Sequence, residues 1–204
     1  SAVSGSTDLI DLHELVEVDL LHRRDLKPQR GRRAKVNFEL THAYRQRMLA
    51  GAFANCGRLA DPVRRQWEQY VEHERAWLAD EALFAALKHV SGGKPWYGWP
   101  TDLQKRRAPA LRDARREFAE QVDFFTFTQF LFDLQWRRLQ KHAKRYGIGL
   151  IGDMPIFVGL DSSAVWIRPE LWKLDSRCRP KVVSGVPPDF FSAIGQKWGH
   201  PLYE

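Results

Sequence analysis

The sequence has little cysteine and no long apolar run. Only Cys56 and Cys178 occur among 204 residues, and neither has a second Cys or a His at zinc-ligand spacing. We therefore expect no disulfide framework, no metal site and no cofactor. No apolar stretch approaches the roughly 20 residues of a membrane span, and the sequence shows no N-terminal signal pattern. A reducing, cytoplasmic location without membrane contact is expected.

Positive charge is only weakly in excess. The chain has 32 Lys+Arg against 25 Asp+Glu, which gives a formal net charge of +7. Most basic residues alternate with acidic ones, and the dense clusters Arg30–Lys35 and Lys105–Arg116 lack the interleaved aromatic residues of a nucleic-acid platform. This pattern favours solvated helix surfaces, and we expect no nucleic-acid partner.

Helical periodicity covers the first two thirds of the chain. It predicts helices from Val36 to Phe53, with Asn37 as N-cap, and from Pro62 to His89. The longest predicted helix runs from Leu103 to Tyr146, where Gly147 follows it. Apolar residues lie on two faces of this helix, which indicates burial on more than one side.

The pattern changes after the long helix. Ile148–Gly152 is a short, continuous apolar run, which predicts a strand buried on both faces. Asp153 follows this strand directly, and in βα barrels that end of a strand faces the active site. Asp153 is therefore the leading candidate for ligand contact, although the residues alone leave a structural Asp that bonds loop amides equally open. Residues 159–204 predict a long functional loop.

The segment Val182–Tyr203 mixes polar side chains with aromatic rings. The hydroxyl groups of a sugar need amide and carboxylate partners, whereas its C–H faces need aromatic rings. The segment offers both kinds of group: Asp189, Gln196 and His200 beside Phe190, Phe191, Trp198 and Tyr203. This mixture favours a carbohydrate site over a loop that only packs on itself.

Several of these stretches closely resemble the 4-alpha-glucanotransferase family, also called amylomaltase or disproportionating enzyme. The matching stretches are IGDMPIFV (Ile151–Val158), DSSAVW (Asp161–Trp166), PELWKLD (Pro169–Asp175) and SGVPPDFFSAIGQKWGHPLY (Ser184–Tyr203). Upstream, KPWYGWP and SAVSGSTDLIDL resemble the aromatic turn and the early loop of that family. The resemblance covers nearly the whole chain.

The resemblance implies an α/β fold, a (β/α)₈ TIM barrel with a large, mainly helical insertion. It further implies that this chain is an internal fragment of a longer enzyme and lacks the first and the later barrel strands. Residues 1–35 would be a strand and loop segment that leads from the barrel. Residues 36–146 would be the helical insertion and a barrel helix, and residues 147–204 a barrel strand with the substrate-binding loop.

The resemblance also implies an activity, the transfer of an α-1,4-glucan segment to another sugar by a retaining double displacement. The expected partners are α-1,4-glucans and maltooligosaccharides, with glucose or maltose as acceptor. The family nucleophile, its acid/base and a third acid stand in R-[IV]-D-H, A-E-D-L-G-like and T-H-D-N motifs, which this sequence lacks. We therefore expect the catalytic residues to lie outside these residues, and the chain alone to be inactive.

Six residues are carried over from the family as substrate-binding candidates: Asp153, Asp189, Phe191, Gln196, Trp198 and His200. In this reading Asp153 bonds sugar hydroxyls without acting as nucleophile, and Trp198 stacks on an acceptor-side glucose ring. The resemblance places Asp189, Phe191, Gln196 and Trp198 in a mobile loop beside the cleft, and Gln196 would bond sugar hydroxyls from this loop.

Two positions depart from the family pattern, and other functions stay open. His200 stands where most members have Asn, and Ser6–Thr7 replaces the usual Asn-Pro. The stretch Arg23–Arg33 has no firm counterpart. The alternatives are a non-catalytic α-glucan-binding module, an α-amylase-type hydrolase and a basic protein that binds nucleic acid, whose binding would fall steeply with salt.

Overall fold

The computed structural model describes residues 4–26 and 36–204. The basic cluster Arg30–Lys35 and most of the stretch Arg23–Arg33 lie outside the described residues, as do residues 1–3 of the early loop.

Helices dominate the described part of the chain, and one small sheet follows them. The helices are α1 (Leu12–Glu17), α2 (Phe38–Ala54), α3 (Asp61–His73), α4 (Arg75–Val90), α5 (Thr101–Gln104), α6 (Ala108–Glu117), α7 (Ala119–Arg145) and α8 (Ser163–Ile167). The strands are β1 (Val183–Val186) and β2 (Gln196–Pro201). The structure is thus α/β in content and mostly helical, as the expected class requires at its coarsest level. None of these helices combines the length and the apolarity needed to cross a bilayer.

Helix ends were predicted correctly where a single residue determines them, as a cap or as a terminating glycine. The side chain of Asn37 accepts a hydrogen bond from the backbone N–H of Leu40 at 3.0 Å, which confirms the predicted cap of α2. Helix α7 ends at Arg145, and Gly147 follows with φ of 68°, a conformation that costs a glycine little. The turn Thr7–Leu9 is a short 3₁₀ helix that precedes α1.

Two predicted helices are each interrupted. The span from Pro62 to His89 breaks at Glu74, whose backbone lies outside helical angles at φ −91° and ψ 4°. Its carbonyl accepts the N–H groups of Trp77 and Leu78, so Glu74 starts a new helix. The longer span breaks at residues 105–107, where Arg106 has φ of 51°, and again at Phe118, which lies between α6 and α7 with φ of −109°. Periodicity misses such breaks because a few residues outside the helix leave the apolar pattern on either side intact.

The chain divides into two compact units. One unit contains Gly5–Leu78, apart from residues 27–35, together with Asp123–Ile151. The other contains Ser4, Ala79–Val122 and Gly152–Glu204. We call them the helical unit and the hairpin unit. The three-part division expected from the resemblance stays a prediction.

The core of the helical unit forms around α7. Phe127 and Phe130 are buried there, and the ring of Trp67 from α3 lies 5.2 Å from that of Phe127. The buried amide of Gln129 pairs with the backbone of Gly5, accepting at 2.8 Å and donating at 3.0 Å. Both hydrogen-bonding groups of this amide are thus satisfied inside the core, as a buried polar group requires.

The core of the hairpin unit is rich in tryptophan. Trp96 and Trp166 are fully buried, and each indole N–H donates to a backbone carbonyl, that of Leu160 at 2.7 Å and that of Leu103 at 2.9 Å. The carboxylate of Asp161 lies 2.6 Å from the Lys88 ammonium and also accepts from the backbone of Trp96. These contacts fix the chain that enters the candidate site.

The predicted strand Ile148–Gly152 is not formed in this structure. These residues form no strand, and the side chain of Ile151 is fully exposed. A parallel strand obtains its hydrogen bonds from neighbouring strands and its burial from covering helices. No described segment pairs with this run, so its apolar sequence alone does not produce a strand.

Candidate functional site

Five of the six site candidates lie on a β-hairpin that sequence reasoning described only as a loop. Strands β1 and β2 pair antiparallel, with Val186 opposite Gln196 and Gly185 opposite Lys197. A Cβ atom on Gly185 would lie 2.5 Å from the carbonyl oxygen of Gln196, so only glycine permits this close approach. The hairpin therefore places Gln196 at the start of β2.

The loop between the strands is shaped by Asp189. Its carboxylate accepts hydrogen bonds from the backbone N–H groups of Phe191 at 2.9 Å and Ser192 at 2.8 Å. Gly195 closes the loop with φ of 71°, and a Cβ there would lie 2.6 Å from the carbonyl oxygen of Val186. One oxygen of Asp189 is thus occupied by its own loop, and its role in sugar binding stays a prediction.

The exposed surface of β2 carries the predicted polar and aromatic pair. The indole Nε1–H of Trp198 donates to the side-chain oxygen of Gln196 at 3.0 Å. The Trp198 side chain remains 46% exposed. Because the bond uses the amide oxygen, the NH₂ group of Gln196 is left to donate to a ligand hydroxyl.

Phe157 contacts two residues of β2. Its ring lies 6.3 Å from that of Trp198 in an edge-on arrangement and 6.1 Å from that of His200, nearly parallel at 9°. The Nδ1 atom of His200 lies 3.3 Å from the hydroxyl of Ser184 on β1. His200 thus contacts protein groups on both sides, and its predicted contact with substrate stays a prediction.

Asp153 lies shortly before this contact in the chain. Its carboxylate is exposed, and no described residue donates a hydrogen bond to it. The contact of Asp153 with a ligand therefore stays a prediction. Ile156, three residues later, accepts a hydrogen bond through its carbonyl from the Tyr203 hydroxyl at 2.9 Å. The segment that carries Asp153 is therefore tied to the chain just after β2.

The loop between the two strands carries two exposed aromatic rings. Phe190 is 97% exposed and packs edge-on against Phe191, which is exposed as well. Exposed apolar side chains of this size mark interaction surfaces. The structure thus brings Gln196 and Trp198 together with Phe157, a residue that sequence reasoning did not select. Its place in IGDMPIFV, close to Asp153, was the signal that could have found it.

The described ranges could also hold a metal site or a further groove. Residues 4–26 and 36–204 contain no group of three His, Cys, Asp or Glu side chains that could hold a metal ion. A groove of about 570 Å³ lies in the helical unit, between α3 and α7. It contains none of the predicted residues, and at its wall Arg137 pairs with Asp133 at 2.7 Å. Burial, followed by the charge of Asp133, raises the pKa of Tyr70 in this groove.

A tight turn in the hairpin unit holds a carboxylate whose pKa is shifted, that of Asp175. The backbone N–H groups of Arg179 and Arg177 donate to Asp175, each at 2.8 Å. Chiefly the bond from Arg179 lowers the pKa of Asp175, because it stabilises the charged form. In the same turn, burial raises the pKa of the Cys178 thiol.

Comparisons with known proteins agree on one family. Residues 1–204 match the family model described as 4-alpha-glucanotransferase. The chain is 46% identical over 204 residues to the 4-alpha-glucanotransferase of Thermus thermophilus and 38% identical over 203 residues to that of Aquifex aeolicus. Both matches cover 100% of this chain and 40% of the relative.

A solved structure is similar over the same extent. The amylomaltase from Streptococcus agalactiae in complex with acarbose aligns with a TM-score of 0.92 and 34% sequence identity. The alignment covers 100% of this chain and 41% of that one. The chain thus spans about 40% of the length of the relatives that it matches.

Proposed function

Because the chain belongs to the 4-alpha-glucanotransferase family, we propose that it supplies one wall of a glucan-transferring site. The proposed donors are α-1,4-glucans and maltooligosaccharides, with glucose, maltose or another glucan as acceptor. One observation carries the proposal: Trp198 and Gln196 present an exposed ring face and an amide donor side by side on β2. This pairing matches the C–H faces and hydroxyl groups of a sugar.

The proposed reaction has two displacement steps. An enzyme carboxylate attacks the anomeric carbon and releases the leaving sugar, and an acceptor hydroxyl then attacks the glycosyl-enzyme, so the anomeric configuration is retained. We place both reacting carboxylates outside these residues. In this chain Trp198 stacks on the acceptor-side sugar, Gln196 donates to a hydroxyl, and Asp153 accepts from one. A sugar held in this way excludes water, which favours transfer over hydrolysis.

We further propose that residues 147–204 contribute one strand and its loop to a (β/α)₈ barrel. The support is the apolar run Ile148–Gly152, whose side chains are exposed in this structure although its sequence suits a buried strand. Neighbouring strands would supply the missing hydrogen bonds and cover these side chains. The two cysteines are free, and this agrees with the proposed cytoplasmic location.

The test is a calorimetric titration of the chain with maltoheptaose. We expect Trp198→Ala to weaken binding about tenfold or more, because the stacking face is lost. The matched control is Trp136→Ala, since Trp136 is 40% exposed on α7 and also stacks on a Phe ring. Equal losses in both variants, or no binding by the unaltered chain, would contradict the proposed site.

A further inference from the structure

We infer that Phe157 is a positioning residue, which holds the segment carrying Asp153 against β2 so that Asp153 and Trp198 keep a fixed relation. The inference rests on the proposed function, since it explains how two of the proposed sugar-binding groups are arranged. It assigns no contact between Phe157 and the sugar.

The first observation is how little else holds this segment. Within the described residues, the backbone of residues 149–159 makes a single hydrogen bond, the one from the Tyr203 hydroxyl to the carbonyl of Ile156. Ile151, Met154 and Ile156 are exposed. A segment with so few bonds takes its position from the few side-chain contacts it makes.

The second observation is that two side chains of this segment, Phe157 and Val158, contact the rest of the hairpin unit. Phe157 is half-buried, and its ring lies beside those of both Trp198 and His200. Val158, the next residue, packs against the tryptophan-rich core of the hairpin unit. Both anchors therefore follow Asp153 by a few residues, and of the two only Phe157 contacts β2 through its ring.

The third observation is that the ring of Tyr203, whose hydroxyl donates to Ile156, is held by stacking on a buried ring. The ring of Tyr203 stacks on that of Trp172, with the centroids 4.3 Å apart, and Trp172 is buried in the core. The hydroxyl of Tyr203 therefore donates from a fixed ring. The bond and the Phe157 contact act on adjacent residues and hold the segment at one point.

The link from this point back to Asp153 is short and partly stiff. Only Met154 and Pro155 separate Asp153 from Ile156. The ring of Pro155 fixes its own φ and restricts the backbone of Met154 to extended angles. A shift at Phe157 is thus transmitted to Asp153 rather than absorbed between them.

The geometry also suits His200 to positioning, while its predicted contact with substrate stays a prediction. Its ring lies nearly parallel to that of Phe157, and its Nδ1 atom lies 3.3 Å from the hydroxyl of Ser184. Ser184 is buried. His200 therefore supports Phe157 from the protein side, and we assign it to positioning together with Phe157.

The experiment uses nuclear magnetic resonance spectra of the chain, which do not require a bound sugar. The readouts are the backbone amide signal of Asp153 and the indole N–H signal of Trp198, the latter assigned with Trp198→Phe. Phe157→Leu removes the ring, whereas Phe157→Tyr keeps it. Tyr203→Phe removes only the hydroxyl that bonds Ile156 and keeps the stack on Trp172.

We expect Phe157→Leu to shift both signals and Tyr203→Phe to shift at least the Asp153 amide, with Phe157→Tyr close to the unaltered chain. Phe190→Leu is the control, because that ring is as exposed as any in the hairpin and contacts neither group; it should shift neither signal. In a parallel titration, Phe157→Leu should weaken maltoheptaose binding roughly three- to tenfold, the worth of one aromatic pair.

Two outcomes decide separate questions. If Asp153 keeps its signal in both Phe157→Leu and Tyr203→Phe, the positioning role is overturned; should Phe157→Leu fail to fold, Tyr203→Phe decides alone. If the Asp153 signal shifts as expected but the unaltered chain binds no maltoheptaose, the proposed function fails while the positioning role stands.

Discussion

Tryptophan serves two opposite purposes within the hairpin unit. Trp96 and Trp166 are completely buried, and each donates its indole N–H to a backbone carbonyl. Trp198 is nearly half exposed, and its N–H bonds to Gln196, itself an exposed side chain. A backbone partner fixes a ring in the core, whereas an exposed side-chain partner leaves both groups ready for a ligand. The partner of the indole N–H thus distinguishes the buried rings of Trp96 and Trp166 from the exposed ring of Trp198.

The sharpest test of this comparison removes one ring of each kind. Trp166→Ala should destabilise the chain by about 3–5 kcal/mol, because it opens a large cavity and leaves the Leu103 carbonyl without its donor. Trp198→Ala should cost less than about 1 kcal/mol, since its ring is largely solvated. Urea denaturation measures both. Similar losses in the two variants would show that Trp198 is a core residue.

A second test concerns two glycines of the hairpin that differ in their surroundings. Gly195 and Gly199 have φ of 71° and 80°, but only at Gly195 would a Cβ atom clash, with the Val186 carbonyl at 2.6 Å. Gly195→Ala should therefore cost about 1–3 kcal/mol, and Gly199→Ala about 1 kcal/mol from the backbone angle alone. Thermal melts of both variants check the order. A larger loss at Gly199 would contradict this account of the loop.

The smallest expected effect concerns Asp175, a loop carboxylate that accepts two backbone amides. These bonds hold the pKa of Asp175 in the folded chain below its unfolded value. Asp175 therefore contributes stability above its unfolded pKa of about 3.9, and that contribution is lost as pH falls through the folded pKa. Melting temperatures between about pH 6 and 2 should fall less steeply for Asp175→Asn. An unchanged slope would show that the turn is not linked to this proton.

Local chemistry determined what the sequence could predict of the fold. The cap at Asn37 and the end of α7 before Gly147 follow from single residues, and both are found. The breaks at Glu74 and Arg106 escaped detection because they leave periodicity intact. The strand predicted at Ile148–Gly152 is not formed in this structure, because a strand also needs neighbouring strands to pair with.

In the candidate site, too, some residues could be predicted from the sequence and others could not. Gln196 and Trp198 could be selected because their side chains carry chemistry that suits a sugar, and they prove to be bonded to each other. Phe157 could not be selected in that way, since its role depends on rings more than forty residues away in the chain. The hairpin was likewise missed, because its strands are short and a Pro- and Gly-rich loop separates them.

The sparsely bonded backbone of residues 149–159 has one more consequence. Within the described residues this backbone makes no hydrogen bond apart from the one that the carbonyl of Ile156 accepts. An incoming extended chain would therefore find donors and acceptors already available, and would not have to break existing bonds before it paired. The unpaired backbone groups that leave this stretch irregular also leave it open to pairing with an added strand.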